Sequence, residues 1–130
     1  MTQAGENTGS ARQFLPLEQI YRLVEEHRAS GRLDEAEGLI RQVLDSRPNE
    51  PQAVHYLGIL AHQRGKLTQA IEYVKRAVEL APKAALFQAN LGEMYRLSGR
   101  PDLAIQHGER AVALQPDSVS YTHLTLPTKA

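Results

Sequence analysis

Residues 57–82 read LGILAHQRGKLTQAIEYVKRAVELAP, and residues 91–116 read LGEMYRLSGRPDLAIQHGERAVALQP. At a step of 34 the second string restates the first: Leu57-Gly58 returns as Leu91-Gly92, Ala77 as Ala111, and Pro82 as Pro116. The same step extends backwards through Gly31, Gly65 and Gly99, through Ala36, Ala70 and Ala104, and through Pro48, Pro82 and Pro116, with Val43 in the place of Ala77. A period between about 20 and 50 residues marks a stack of identical supersecondary units, so this step decides the architecture.

Each unit contains two helices. In the middle one, Val54, Leu57 and Ala61, and then Leu67, Ala70, Ile71, Val74, Ala77 and Val78, fall at steps of three and four, the period of an amphipathic helix. Gly31, Gly65 and Gly99 suit the left-handed residue that closes a helix. Asn49 is the expected N-cap of the helix that Pro51 opens, and Pro101 opens the last helix in the same way, because the first helical residue has no use for its N–H. Pro48, Pro82 and Pro116 stop each second helix. Three units are expected, at 17–50, 51–84 and 85–118, after a polar flexible leader over 1–16 and before a tail at 119–130.

This pattern resembles the tetratricopeptide repeat, with Leu57-Gly58, Ala70, Ala77, Pro82 and Tyr95 standing where that family places its small, large and turn residues. The resemblance implies an all-α fold, a right-handed helix-turn-helix solenoid of three repeats and six antiparallel helices. A glycine inside a helix costs about 1 kcal/mol relative to alanine, and the family explains Gly58 and Gly92 by a close crossing of the two helices of a repeat. Three departures stand out: in the first unit Val24 replaces that glycine and His27 stands where a large apolar residue is usual, and in the third Gly108 replaces a bulky interface residue.

Composition narrows the function. With no Cys and no Trp, disulfides and thiolate metal sites are excluded, and a reducing, cytoplasmic location is expected. No apolar run approaches a membrane span, and zero formal net charge speaks against a nucleic-acid binder. The units differ in charge: five basic and eight acidic residues in the first (net −3), five and two in the second (net +3), three and four in the third (net −1).

Residues 119–128, VSYTHLTLPT, break the helical period. They resemble, residue for residue, one reading frame of the transposase mosaic end and adapter used in sequencing libraries. The expectation is a non-native or disordered tail, with the chain an N-terminal fragment of a longer bacterial repeat protein. The helix from Pro101 to Leu114 is then expected to show an apolar flank, since solenoids close with a polar capping element.

No catalytic signature is present. Gly58 to Gly65-Lys66 has six residues between its glycines instead of the four of a phosphate loop, and Leu67 stands where a hydroxyl is required. His55 and His62, seven residues apart, stand about 10 Å apart on a helix, too far to share one metal unaided. No enzyme activity, cofactor or metal is expected of these residues.

What remains is an interaction surface. By resemblance, the concave groove falls on Tyr21, Glu25 and Arg28 in the first unit, His55, Ile59 and His62 in the second, and Ala89, Asn90, Glu93 and Arg96 in the third. A protein or peptide partner is expected there, in a scaffold without nucleic-acid or membrane contacts. The family's carboxylate clamp for chaperone C-terminal tails is absent, its positions being Tyr21, Glu25, Tyr56, Leu86 and Asn90. The alternative is the repeat arm of a transferase whose catalytic domain is missing, because Asn90-Leu91-Gly92 resembles the repeats in front of O-linked N-acetylglucosamine transferases of the SPINDLY type and of repeat-fused sulfotransferases.

Overall fold

The computed structural model describes residues 15–115, and the leader before Leu15 and the tail after Gln115 lie outside the described residues. Six α-helices and no strand occur among the described residues: α1 Leu17–Ala29, α2 Leu33–Ser46, α3 Pro51–Gln63, α4 Leu67–Leu80, α5 Ala85–Leu97 and α6 Pro101–Leu114. The odd-numbered helices have 13 residues and the even-numbered 14. Their starts repeat at 34 residues, as the sequence does.

One turn, used three times, joins the helices of a pair. Gly31, Gly65 and Gly99 have φ of 80°, 81° and 82°, a conformation in which a Cβ would crowd the following carbonyl. The residue after each glycine donates its N–H five positions back: Arg32 to the His27 carbonyl at 2.8 Å, Lys66 to Ala61 at 2.9 Å, and Arg100 to Tyr95 at 2.8 Å. Each glycine donates to the carbonyl three before it, Gly65 to His62 at 2.9 Å. These are Schellman closures, which satisfy carbonyls the helix end would leave unpaired.

The described residues divide into two compact units, the first ending at Ile40 and the second beginning at Arg41. In the first, Tyr21 and Val24 of α1 and Ala36 and Ile40 of α2 are buried. The second holds the larger core, in which Val54, Ile59, Ala70, Val74, Ala77, Val78, Phe87, Leu91, Met94 and Tyr95 form one cluster, with Leu44, Leu67, Ile71 and Leu103 packed against it. Helix α3 is buried at nine consecutive residues, Ala53 to Ala61. A helix apolar on one side only would leave half of these in water, so α3 is an interior element.

The expected capping role of Asn49 is not what the structure shows. The N-cap of α3 is Glu50, with no side-chain capping bond and Pro51 in the first turn. The Asn49 Oδ1 instead accepts from Arg76 Nη2 of α4 at 2.7 Å, and the same guanidinium reaches the Pro48 carbonyl at 3.3 Å. An arginine from a neighbouring helix is the stronger donor, and a charge-assisted bond outweighs the neutral cap it displaces.

Gly58 and Gly92 mark close approaches of the paired helices. A Cβ on Gly58 would overlap Val74 Cγ2 and lie 3.1 Å from the Ala70 carbonyl oxygen. On Gly92 it would lie 3.0 Å from the Ala104 carbonyl oxygen and 3.2 Å from the Gly108 amide nitrogen. Gly38 in α2, by contrast, has open space around its missing Cβ. Gly58→Ala is therefore expected to destabilise the fold by about 1 to 3 kcal/mol through overpacking, and Gly38→Ala to stabilise it by up to about 1 kcal/mol through helix propensity. Opposite shifts in urea midpoint check both, and equal shifts would refute the close crossing.

Candidate functional site

The three inner-face residues of the first unit lie on α1. Tyr21 is buried, and the half-buried Arg28 donates from Nη2 to Glu25 Oε1 at 2.7 Å. The other seven candidates belong to the second unit, on α3 and α5. They separate into two groups by burial, a division that spacing does not reveal.

His55, Ile59, Ala89 and Asn90 are withdrawn from solvent, which corrects their expected place on an accessible groove. His55 stacks on Phe87 with ring centroids 4.3 Å apart, and the Asn90 side-chain nitrogen lies 2.9 Å from His55 Nε2. An amide nitrogen can only donate, so this geometry assigns Nε2 as the acceptor and the ring as neutral, with its proton on Nδ1. Burial pushes the His55 pKa down to about 3, which keeps it neutral at ordinary pH. The pair is thus a polar rivet between α3 and α5, and Ile59 joins the apolar cluster beside it. Among the described residues no group of three or more His, Asp or Glu could hold a metal ion.

His62, Glu93 and Arg96 remain accessible. Glu93 accepts from Arg96 in a two-pronged ion pair, Nε lying 3.1 Å from each carboxylate oxygen with a further bond from Nη2. Partial burial lowers the His62 pKa, and the Glu93 carboxylate opposes that shift. Behind them, His107 of α6 stacks on Tyr95 at 5.6 Å, and its Nδ1 lies 2.9 Å from Gln88 Oε1. Gln88 donates its other arm to the Pro82 carbonyl at 2.9 Å, which ties α6 through α5 to the turn before it.

Glu93, Arg96 and the buried Ala89 line a groove of about 810 Å³ between α5 and α6. The small residues Gly92, Ala104 and Gly108 line it too, as do Ile105, Glu109 and Val112 of α6. Ile105 is 60% exposed and Val112 54%, so the expected apolar flank of the last helix is open to solvent. The α6 residues are the part of the site that the inner-face positions alone do not include. Their signal is the repeat itself, which places Gly108 where the preceding pair has Val74.

The tetratricopeptide repeat family model matches residues 21–85 and 65–119. No curated protein matches the chain by sequence. Among solved structures, an O-GlcNAc transferase of Thermobaculum terrenum is 29% identical with a TM-score of 0.72, covering 83% of this chain and 20% of that one. This chain therefore spans about a fifth of that transferase. The Yersinia enterocolitica type III secretion chaperone SycD, solved with a peptide of the translocator YopD, is 19% identical with a TM-score of 0.70, covering 83% of this chain and 82% of that one. A structure of MamA is 18% identical with a TM-score of 0.67, covering 80% and 61%. Among the described residues no helix is long and apolar enough to cross a membrane.

The rivet has a pH signature. His55 takes up its proton at about 3 in the folded protein, against 6.5 for an ordinary solvated histidine, so between those limits the unfolded chain holds more protons. Stability is full above about 6.5 and falls as pH drops toward 3, by at most about 1.4 kcal/mol per pH unit. Thermal melts of the wild type and His55→Gln between pH 7 and 4 test this. The wild type should lose more stability than the variant, and parallel losses would show that His55 contributes nothing.

Proposed function

Since the chain belongs to the tetratricopeptide repeat family, an all-α solenoid, we propose that it is a protein-interaction scaffold which holds a peptide or partner segment in the groove between α5 and α6. The observation that carries this reading is the groove itself, a concave apolar space of about 810 Å³ with the Glu93–Arg96 ion pair on its rim. Concave apolar surface with a few fixed polar groups is the common form of a binding site. Exposed aliphatic residues such as Ile105 and Val112, grouped on one face, are what a partner covers. Glu93 and Arg96 supply orientation, His62 extends the polar side, and Tyr21, Glu25 and Arg28 are the corresponding positions of the first unit. The chaperone SycD, solved with a peptide of the translocator YopD, supports the choice of a peptide-like occupant. A cytoplasmic location fits the cysteine-free composition.

A second reading follows from the likeness to the O-GlcNAc transferase: the repeats serve as the substrate-presenting arm of a longer transferase. Genomic sequence carrying the unbroken frame past Ser118 tests it. A nucleotide-sugar or sulfonate transferase domain would support it, and further repeats followed by a stop codon would rule it out.

For the first reading, peptides selected by display against the full chain should bind it and lose at least tenfold in affinity against the Ile105→Asp/Val112→Asp variant, read by fluorescence anisotropy. Both residues are exposed, so the variant should keep its helical circular dichroism. Peptides that bind the variant unchanged, or a selection that yields no binder, would refute the reading.

A further inference from the structure

The second unit holds two helix pairs built to one plan and fastened unequally. At a step of 34, Gln88, Tyr95, His107 and Gly108 of the α5–α6 pair stand where the α3–α4 pair has Val54, Ala61, Tyr73 and Val74. Helix α4 buries Ala70, Val74, Ala77 and Val78, whereas Ala111 is the one buried residue of α6. Val74 fills the space beside Gly58, but Gly108 has no side chain to offer Gly92, and the two helices meet there through the α6 backbone. A glycine inside a helix also costs about 1 kcal/mol relative to alanine. Helix α6 is thus the poorer helix as well as the more thinly packed one.

A polar latch stands in for the lost packing. The His107 ring lies on Tyr95 with centroids 5.6 Å apart. Gln88 gives its amide nitrogen to the Pro82 carbonyl at 2.9 Å, so its Oε1 is left as acceptor and His107 Nδ1–H donates to it, also at 2.9 Å. Leu103 and Ala104, which lean on the apolar cluster, complete the attachment.

We propose that α6 is a flap, which leaves α5 and returns as one unit while α3, α4 and α5 stay folded, with the His107–Gln88 bond as its latch. The remaining helices hold without it. Phe87, Leu91 and Met94 share the core cluster with Val54, Ile59, Val74 and Val78, and Asn90 holds His55, so α5 keeps its place through α3 and α4. Isolated helices shorter than about 12 to 15 residues are marginal in water. An α6 of 14 residues that leaves α5 therefore melts, a local opening that costs less than unfolding the whole unit.

The consequence falls on the groove. Glu93 and Arg96 lie on α5 and Ile105, Glu109 and Val112 on α6, so the groove exists only while the flap is docked. A ligand of the groove meets only that fraction of molecules, and its apparent affinity scales with it. This consequence rests on the groove reading proposed above, whereas the opening itself does not.

Native-state hydrogen exchange of the full chain without ligand, read by mass spectrometry, tests the flap. Amides of α6 should be protected at least tenfold less than those of α3 and α4. Their protection should also fall less steeply with urea below the unfolding transition, because one departing helix exposes less surface than the unit does. His107→Ala should lower α6 protection about fivefold, the worth of a typical hydrogen bond. Gly108→Ala, whose added Cβ meets nothing within 4 Å, should raise it about as much. Equal protection and equal urea slopes across α3, α4 and α6 would overturn the flap and leave the groove reading standing. An α6 protection that does not respond to His107→Ala would overturn the latch.

Discussion

The missing side chain at Gly58 governs much of what surrounds it. Helix α4 comes so near to α3 that the Val74 methyl occupies the space of the absent Cβ, and the same approach recurs at Gly92, against the backbone of α6. Interiors pack at crystal-like density, so helices that meet this closely bring Ala70, Ala77 and Ala111 into full burial. Those alanines take part in the core only because the helix axes are close enough for short side chains to touch. A helix glycine that looks costly by propensity is thus the condition for a core made of small aliphatic residues with no tryptophan.

A second constraint acts between pairs. Apolar packing of α5 on α3 and α4 is non-directional and would tolerate sliding, but the His55 ring, held by Phe87 on its face and Asn90 at its edge, has one satisfied arrangement. A buried neutral imidazole left without its donor would cost about 1 to 3 kcal/mol, so the rivet fixes register as well as adding stability. The third pair offers Ala89 at the same position. Beside it Ile105 and Val112 are exposed, and the groove lies there.

Much of the fold was legible because repetition is a redundant signal. Gly31, Gly65 and Gly99 each point to the same turn, and any one is explained by the left-handed φ that the other two share. The caps were less legible: Asn49 reads as an N-cap by local rules, and its side chain went to Arg76, 27 residues away on another helix, a competitor no local window contains. The inner-face positions were only half legible. Ala89, Glu93 and Arg96 line the groove, while His55, Ile59 and Asn90 face the same way by period and are consumed by packing between helices. Period assigns a residue to a face, and it does not say whether another helix covers that face.

The sequence by itself determined the helices, their turns and their period, because each depends on contacts within a few residues or on a register copied every 34. It also determined that one apolar flank of the last helix would want covering. Tertiary structure alone decided that His55 would be neutral and buried, that Arg76 would take Asn49, and that the α5 and α6 walls would enclose one space with Ile105 and Val112 exposed. Those outcomes turn on desolvation and on distances between residues far apart in the chain, and both come into being only when the helices pack.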